Sequence, residues 1–295
     1  MTAVAGDARA RLASLPAPAL WLIAARLKTV SLSQVPVLAG AWRAGEGFRL
    51  DVTVAAMIAT ATIQIGTNLW NDAADAARGV DQPDRLGPPR MTALGLLDGA
   101  AVRRAALASF GLATFAGLWL VTVGGWPIVG IGLVSLTLGY FYSMGPRPLS
   151  GLPFGEALVI AFFGIVAVSG TGWLMGADPF GTGTLATGAM IGLPAAAVLM
   201  LNNHRDRVQD ARAGRRTLAI VIGPVASRLS YFAALVAALG LGVALKATIW
   251  LVLPGALALW LGHAMWHWPI SARLNRLLGQ TAAFQALLLL VVVLA

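Results

Sequence analysis

The strongest constraint on this chain is a series of apolar blocks, each long enough to cross a lipid bilayer as a helix. A helix crosses the hydrocarbon core with about 20 apolar residues, and it satisfies its own backbone hydrogen bonds there. Blocks of this length that are rich in Leu, Ala and Val favour helices over strands. We therefore predict an all-α, polytopic membrane protein with nine transmembrane helices. The approximate spans are 17–42, 51–71, 101–123, 126–144, 152–175, 184–202, 225–245, 247–267 and 278–295.

Composition excludes several classes of protein. Only 11% of the residues are charged and 58% are hydrophobic, whereas a soluble domain has about 25% charged residues. The chain has no cysteine, which excludes disulfide scaffolds, iron–sulfur clusters and cysteine nucleophiles. A net charge of +9 would suggest nucleic acid in a soluble protein. Here the basic residues lie between apolar blocks, so we predict the bilayer as the partner, with no nucleic acid and no implied protein partner.

The distribution of the basic residues predicts the orientation. Sixteen arginines fall on the side of the membrane that holds the N-terminus, and three cations fall on the other side. Because positive loops stay on the cytoplasmic side, we predict a cytoplasmic N-terminus in the cell inner (cytoplasmic) membrane. No linker or boundary interrupts the chain, so residues 1–295 are predicted to form a single membrane domain.

Polar residues cluster at the inner ends of the second and sixth blocks, in front of the two long inner loops. Six of the twelve acidic residues lie in these two segments. Residues four apart share a helix face, so each cluster presents a strip of side-chain oxygens. The first motif also recurs in the second at a spacing of 131 residues, which suggests a duplicated unit. The strips comprise Asn71 and Asp75 in the first cluster, and Asn202, Asp206 and Asp210 in the second.

These oxygen strips predict a site for Mg²⁺ and a diphosphate. Acids at the C-terminal end of a helix face the negative end of its dipole and need a positive partner. Mg²⁺ prefers oxygen ligands and usually joins one or two carboxylates to substrate phosphates. The sequence contains no glycine-rich phosphate loop, which argues against a nucleoside triphosphatase. We therefore predict a substrate with a diphosphate at the cytoplasmic surface and an apolar tail in the bilayer. This description fits a polyprenyl diphosphate.

Two other interpretations of the clusters are a solvated loop surface and a proton-coupled transporter. A solvated surface explains one acidic loop readily, but it does not explain matching Asn-x-x-x-Asp spacing at two matching helix ends. Transporter acids usually lie near the bilayer midplane, and the mid-helix positions of this chain are nearly free of acids. A lipid-binding protein without catalytic activity is a third alternative.

The two motifs resemble those of the UbiA superfamily of intramembrane aromatic prenyltransferases. The chain is most similar to the branch that acts on 1,4-dihydroxy-2-naphthoate in menaquinone biosynthesis. The resemblance implies helices around a central cavity, and Mg²⁺-dependent transfer of a polyprenyl group from its diphosphate to an aromatic acceptor. The first motif runs from Asn71 to Asp81 and continues through Arg85 to Arg90, and the second runs from Asn202 to Ala219. Supporting segments are Arg26–Thr29 and Tyr142–Glu156.

The resemblance also implies roles for individual residues. Asp72 and Asp81 are candidates for assisting acceptor deprotonation or for organising the loop, and Lys28 is a further catalytic candidate. Apart from the resemblance, the place of Glu156 at the start of the fifth block indicates either an acceptor-site base or an interfacial acid. Metal ligation is implied for Asn71, Asp75, Asn202, Asp206 and Asp210. Diphosphate binding is implied for Lys28, Arg147, Arg215, Asn71 and Asn202.

Three positions depart from the pattern usual in the family and leave the acceptor open. Ala73 replaces an aromatic residue, Leu27 replaces a proline, and Ser150 stands where a lysine or an aromatic residue is common. The metal site is unaffected by these differences. The alternatives to naphthoate are homogentisate and benzoate-type acceptors.

Overall fold

The computed structural model describes residues 9–77, 79, 86–143 and 148–295, apart from the side chains of Lys28 and Ser143. These ranges are helical, with no strand among them. The principal helices are α1 (Ala17–Ala24), α2 (Ser31–Arg43), α3 (Leu50–Ala77), α4 (Gly99–Gly124), α5 (Trp126–Ser143), α6 (Gly155–Trp173), α7 (Thr182–Arg212), α8 (Leu218–Leu245), α9 (Val252–His267) and α10 (Asn275–Leu294).

Seven of the described helices are long and apolar enough to cross a membrane. They are α3, α4, α6, α7, α8, α9 with the turn before it, and α10 with the turn before it. The prediction of an all-helical, polytopic membrane protein is confirmed. The two other predicted spans correspond to the shorter helix α5 and to the pair α1 and α2, so the count of nine crossings stays a prediction.

The first apolar block is broken rather than continuous, contrary to the single span expected over 17–42. Helix α1 ends at Ala24, and Arg26 adopts a left-handed conformation with φ of 53°. It is the one non-glycine residue with positive φ in the part of the chain that is described. The Asn68 amide of α3 donates to the Ala25 carbonyl at 3.0 Å. This bond satisfies a carbonyl that the break exposes, and it fixes the break beside the C-terminal part of α3.

Helix α7 is the centre of the bundle. Its apolar stretch is more buried than that of any other candidate span, and it packs against α2, α6, α8 and α10. Helices α3, α4 and α5 form a second group in which α3 and α4 pair along their lengths. Because the chain passes back and forth, the C-terminal ends of α3, α5 and α7 lie at the same end of the bundle as the N-terminal ends of α6 and α10.

Candidate active site

Helices α3 and α7 end in the same way, and this shared ending positions one acid from each. Gly79 and Gly214 both adopt left-handed conformations, with φ of 62° and 73°. Such a glycine ends a helix by letting the next amides turn back onto the last carbonyls. After α7, the Gly214 N–H bonds the Ala211 carbonyl at 3.1 Å, and after α3 the Gly79 N–H bonds the Ala76 carbonyl at 3.1 Å. Each glycine follows an aspartate by four residues, Asp75 in α3 and Asp210 in α7.

Arg215 joins these two aspartates. Its backbone N–H bonds the Asp210 carbonyl at 2.9 Å, which returns the chain over the end of α7. Its guanidinium lies 3.0 Å from a carboxylate oxygen of Asp210 and 3.6 Å from one of Asp75. Burial acts to lower the pKa of Arg215, but Asp210 and Asp75 outweigh it and raise the pKa above its usual value. The guanidinium is therefore fixed as a cation where the two motifs meet.

The two helix ends pair different residues from those that the internal repeat in the sequence pairs. The spacing of 131 residues pairs Asp75 with Asp206. In the structure the residue equivalent to Asp75, by its place before the terminal glycine and by its contact with Arg215, is Asp210. The pairing therefore lies one helical turn further along α7 than the sequence spacing suggested.

Arg90 holds the end of α3 and was not among the predicted site residues. Its guanidinium forms an ion pair with Asp75 and donates to the Asn71 carbonyl. Next to it, the Met91 N–H donates to the Asp72 carboxylate at 3.2 Å. Arg90 and Asp72 are both buried. Their contacts bond the C-terminal end of α3 to the loop that follows it. The sequence feature that could have identified Arg90 as a site residue is its place in the Arg-x-Gly-Pro-Pro-Arg turn.

The Asp206 carboxylate pairs with a different arginine, Arg205. Both of its carboxylate oxygens bond the buried Arg205 guanidinium, at 2.8 and 2.6 Å. Arg205 also donates to the Asn275 side chain at the start of α10, and Asn275 donates in turn to the Leu86 carbonyl at 2.9 Å. This network ties α7, α10 and the loop after α3 together. Asp206 lies on the same face of α7 as Asp210, one turn earlier.

Several oxygens at this end of the bundle are buried without a hydrogen-bond partner. They are Asn71 Oδ1, Asp72 Oδ1 and Glu156 Oε2. A buried acceptor left unpaired costs about 1–3 kcal/mol, so each such atom calls for an explanation, such as a bound water or ion. The described residues contain no cluster of three or more acidic, His or Cys side chains that could hold a metal ion. The carboxylates of Asp75 and Asp210 and the Asn71 amide oxygen nevertheless suit Mg²⁺, which takes its other ligands from water and phosphate.

The structure describes some of the remaining predicted residues and not others. Asn202 is partly buried on α7, one turn before Asp206. Lys28 lies in the short turn Leu27–Thr29 beside the break after α1, and its side chain is outside the described part of the structure. Asp81 and Arg147 lie outside the described residues altogether. Close to the site, the Arg216 N–H donates to the Gly151 carbonyl at 2.7 Å, which ties the turn before α6 to the turn after α7.

A family model described as the UbiA prenyltransferase family matches residues 33–288. The chain belongs to this family. Among curated relatives, the 1,4-dihydroxy-2-naphthoate octaprenyltransferase of Mycobacterium tuberculosis is 34% identical over 218 residues, covering 72% of this chain and 73% of the relative. The protein of the same name from Escherichia coli is 34% identical over 217 residues, covering 70% of each chain. The chain is thus a membrane-embedded prenyltransferase, and the transporter interpretation is set aside.

Solved structures agree on the fold. A UbiA homologue from Aeropyrum pernix K1 superimposes with a TM-score of 0.66 at 16% identity, covering 89% of this chain and 95% of that one. A UbiA homologue from Archaeoglobus fulgidus, determined with DMAPP and Mg²⁺ bound, gives a TM-score of 0.58 at 16% identity, covering 93% and 99%. At this level of identity the likeness establishes the shared helical fold.

Proposed function

We propose that this enzyme transfers a polyprenyl group from polyprenyl diphosphate to 1,4-dihydroxy-2-naphthoate and forms a demethylmenaquinone. The observation that carries the proposal is the convergence of Asp75 and Asp210, one from each motif, on the guanidinium of Arg215. Two acids and a cation at the end of a membrane-spanning bundle suit a metal-bound diphosphate whose tail lies among apolar helices. The relatives named for the naphthoate reaction support this choice of acceptor.

We assign Asp75, Asp210 and the unpaired Asn71 Oδ1 as donors to Mg²⁺, together with Asn202 and Asp206 on the same face of α7. Bound Mg²⁺ supplies positive charge that stabilises the departing pyrophosphate. Arg215 lies between the two carboxylates and is assigned to the diphosphate oxygens. Lys28 and Arg147 are proposed to bind the same group. Asp72 and Asp81 remain the candidates for organising the loop or assisting the acceptor.

The protein contributes charge, orientation and exclusion of water to the ionisation. Cationic side chains hold the diphosphate as the carbon–oxygen bond breaks and an allylic cation forms. Aromatic faces near the site stabilise such a cation, and Trp70 and Tyr140 lie with their ring centroids 5.9 Å apart on α3 and α5. The acceptor ring then attacks through carbon, and the naphthoate carboxyl group leaves as CO₂.

The proposed topology places this site at the cytoplasmic face. Arg90, Arg205 and Arg215 all lie at the end of the bundle that holds the site, and this agrees with the excess of positive charge expected on the cytoplasmic side. We propose nine crossings of the cytoplasmic membrane, a cytoplasmic N-terminus and a single domain over residues 1–295.

The proposed function is tested by pyrophosphate release from the purified enzyme in detergent. A polyprenyl diphosphate and Mg²⁺ are supplied with 1,4-dihydroxy-2-naphthoate, with homogentisate, or with no acceptor. We expect release with the naphthoate alone, and its abolition by EDTA. Release with homogentisate alone would contradict the assigned acceptor, and release that survives EDTA would contradict the metal site. Ala73, Leu27 and Ser150 are the departures that make the homogentisate arm necessary.

Gly214→Ala tests whether the ending of α7 positions Arg215. The left-handed conformation costs an alanine about 1–2 kcal/mol, and relief of that strain moves the backbone that carries Arg215. We expect about a tenfold loss of pyrophosphate release. Gly45→Ala is the matched control, because Gly45 also has positive φ, at 54°, and an added Cβ would meet nothing within 4 Å. Gly45 follows the C-terminal end of α2, away from the site. Equal activity loss in both variants would contradict a local effect.

A further inference from the structure

Glu156 is a buried acid at the start of α6 that the diphosphate site does not use. The residue is 6% exposed. Its Oε1 accepts a hydrogen bond from the Asn203 amide at 2.9 Å. Its Oε2 is buried and has no hydrogen-bond partner. One oxygen is therefore fixed by α7, and the other is oriented with its hydrogen-bonding capacity unused.

No cation compensates this carboxylate within the described part of the chain. The ion pairs of the site involve Arg90, Arg205 and Arg215, and Glu156 takes part in none of them. A buried acid without a counter-charge or a full set of hydrogen bonds is costly. Packing does not require a carboxylate here, because an amide of the same size would also satisfy Asn203. The unused oxygen is therefore best explained by a hydrogen-bond donor that arrives with a ligand.

The turn before α6 places Glu156 next to the diphosphate site. The Arg216 N–H donates to the Gly151 carbonyl at 2.7 Å, so the turn that precedes α6 is bonded to the turn that carries Arg215. Asn203, which holds Glu156, directly follows Asn202 on α7. The carboxylate thus lies beside the residues that are assigned to the metal and the diphosphate.

We propose that Glu156 binds the ring hydroxyl of the aromatic acceptor and takes its proton during carbon–carbon bond formation, an inference that rests on the proposed prenyl transfer. An acceptor hydroxyl is a donor, and Oε2 is an acceptor without a partner. Asn203 orients the carboxylate through Oε1. Glu156 is therefore a specificity-determining residue for hydroxylated rings, in addition to the motif acids that are assigned to Mg²⁺.

The proton balance of this step is closed. The ring carbon beside the hydroxyl forms a bond to the allylic cation, while the O–H electrons form a carbonyl and the proton passes to Oε2. With a 2-carboxylate on the attacked carbon, the product is a β-keto carboxylate, which loses CO₂ and leaves an enolate. The enolate oxygen recovers the proton from Glu156, so the carboxylate is regenerated and pyrophosphate and CO₂ are the by-products.

The test compares Glu156→Gln with wild type, using 1,4-dihydroxy-2-naphthoate and geranylgeranyl diphosphate as substrates. Glutamine still satisfies Asn203 but takes no proton. We expect KM for the naphthoate to rise about tenfold, because hydrogen bonds to charged groups are strong. We also expect kcat to fall about 100-fold, as on loss of a general base. KM for the diphosphate should stay within about twofold. Glu46→Gln, at an exposed acid in the short turn Gly45–Gly47, is the matched control.

A pair of inhibitors separates hydroxyl recognition from structural damage. Inhibition constants are measured for 1-hydroxy-2-naphthoate and 1-methoxy-2-naphthoate against the natural acceptor. We expect wild type to favour the hydroxyl compound about tenfold and Glu156→Gln to lose that preference, because the glutamine amide can donate to the methoxy oxygen. Glu156→Asp should keep part of the preference. An unchanged ratio in Glu156→Gln, or equal rises in both KM values, would overturn the proposal. Wild type that transfers no prenyl group would instead refute the proposed function.

Discussion

Asp75→Asn is expected to lower prenyl transfer about 1,000-fold, which is the size of effect seen when one electrostatic stabiliser is removed from an active site. Asp75 contacts both Arg90 and Arg215, and it shares Arg215 with Asp210 of α7. Asparagine keeps the size and an oxygen but removes the charge, so the metal loses an anionic donor and two arginines lose their ion-pair partner. Pyrophosphate release measured across a Mg²⁺ titration gives the rate and the apparent metal affinity together.

The matched control for this change is Asp51→Asn. Asp51 lies on the same helix, at its other end, and forms an exposed ion pair with Arg49. Exposed pairs contribute about 0–1 kcal/mol, so the control should keep wild-type activity and metal dependence. Breaking a buried pair is destabilising, and the melting temperature in detergent therefore separates lost chemistry from lost fold. A folded Asp75→Asn enzyme with more than a tenth of wild-type activity would contradict the assigned site.

Local sequence signals predicted the helices and the two polar motifs, because each depends on residues close together in the chain. Helix length follows from the apolar blocks, and the strips follow from four-residue spacing. The glycines that end α3 and α7 also carried usable information. Asp75 and Asp210 each precede such a glycine by four residues. A register based on these glycines, rather than on the asparagines, would have paired the two acids that meet at Arg215.

Contacts between distant residues were not predictable from the sequence. Nothing between Ala25 and Leu27 resembles a helix breaker, and the break at Arg26 is stabilised by Asn68 from another helix. The buried position of Arg205 likewise depends on Asn275, a residue of the last helix that accepts a hydrogen bond from its guanidinium. Such pairings depend on which helices become neighbours, and spacing along one helix contains no information about that.

Helices α6 and α7 approach so closely that glycine is required at their contact. Residues Ile160–Val166 of α6 form a wider π-helical turn, and Gly164 within it faces Gly188 and Gly192 of α7. Interfaces of small residues let membrane helices pack backbone to backbone. Because α6 begins at the Glu156 end and α7 ends at Asp210, this contact sets the relative position of the two helices that carry the proposed acceptor and diphosphate groups.

Gly164→Ala is expected to be the most destabilising single methyl addition in this contact. A Cβ at Gly164 would lie 2.4 Å from the Gly188 carbonyl oxygen and 2.7 Å from the Gly192 Cα, and backbone atoms cannot move aside as a side chain can. Overpacking of this kind costs about 3 kcal/mol, which corresponds to about 5 °C in melting temperature for a chain of this size. Gly111→Ala on α4, where a Cβ meets nothing within 4 Å, should leave the melting temperature unchanged. Equal melting temperatures for the two variants in detergent would show that α6 and α7 are not held this closely.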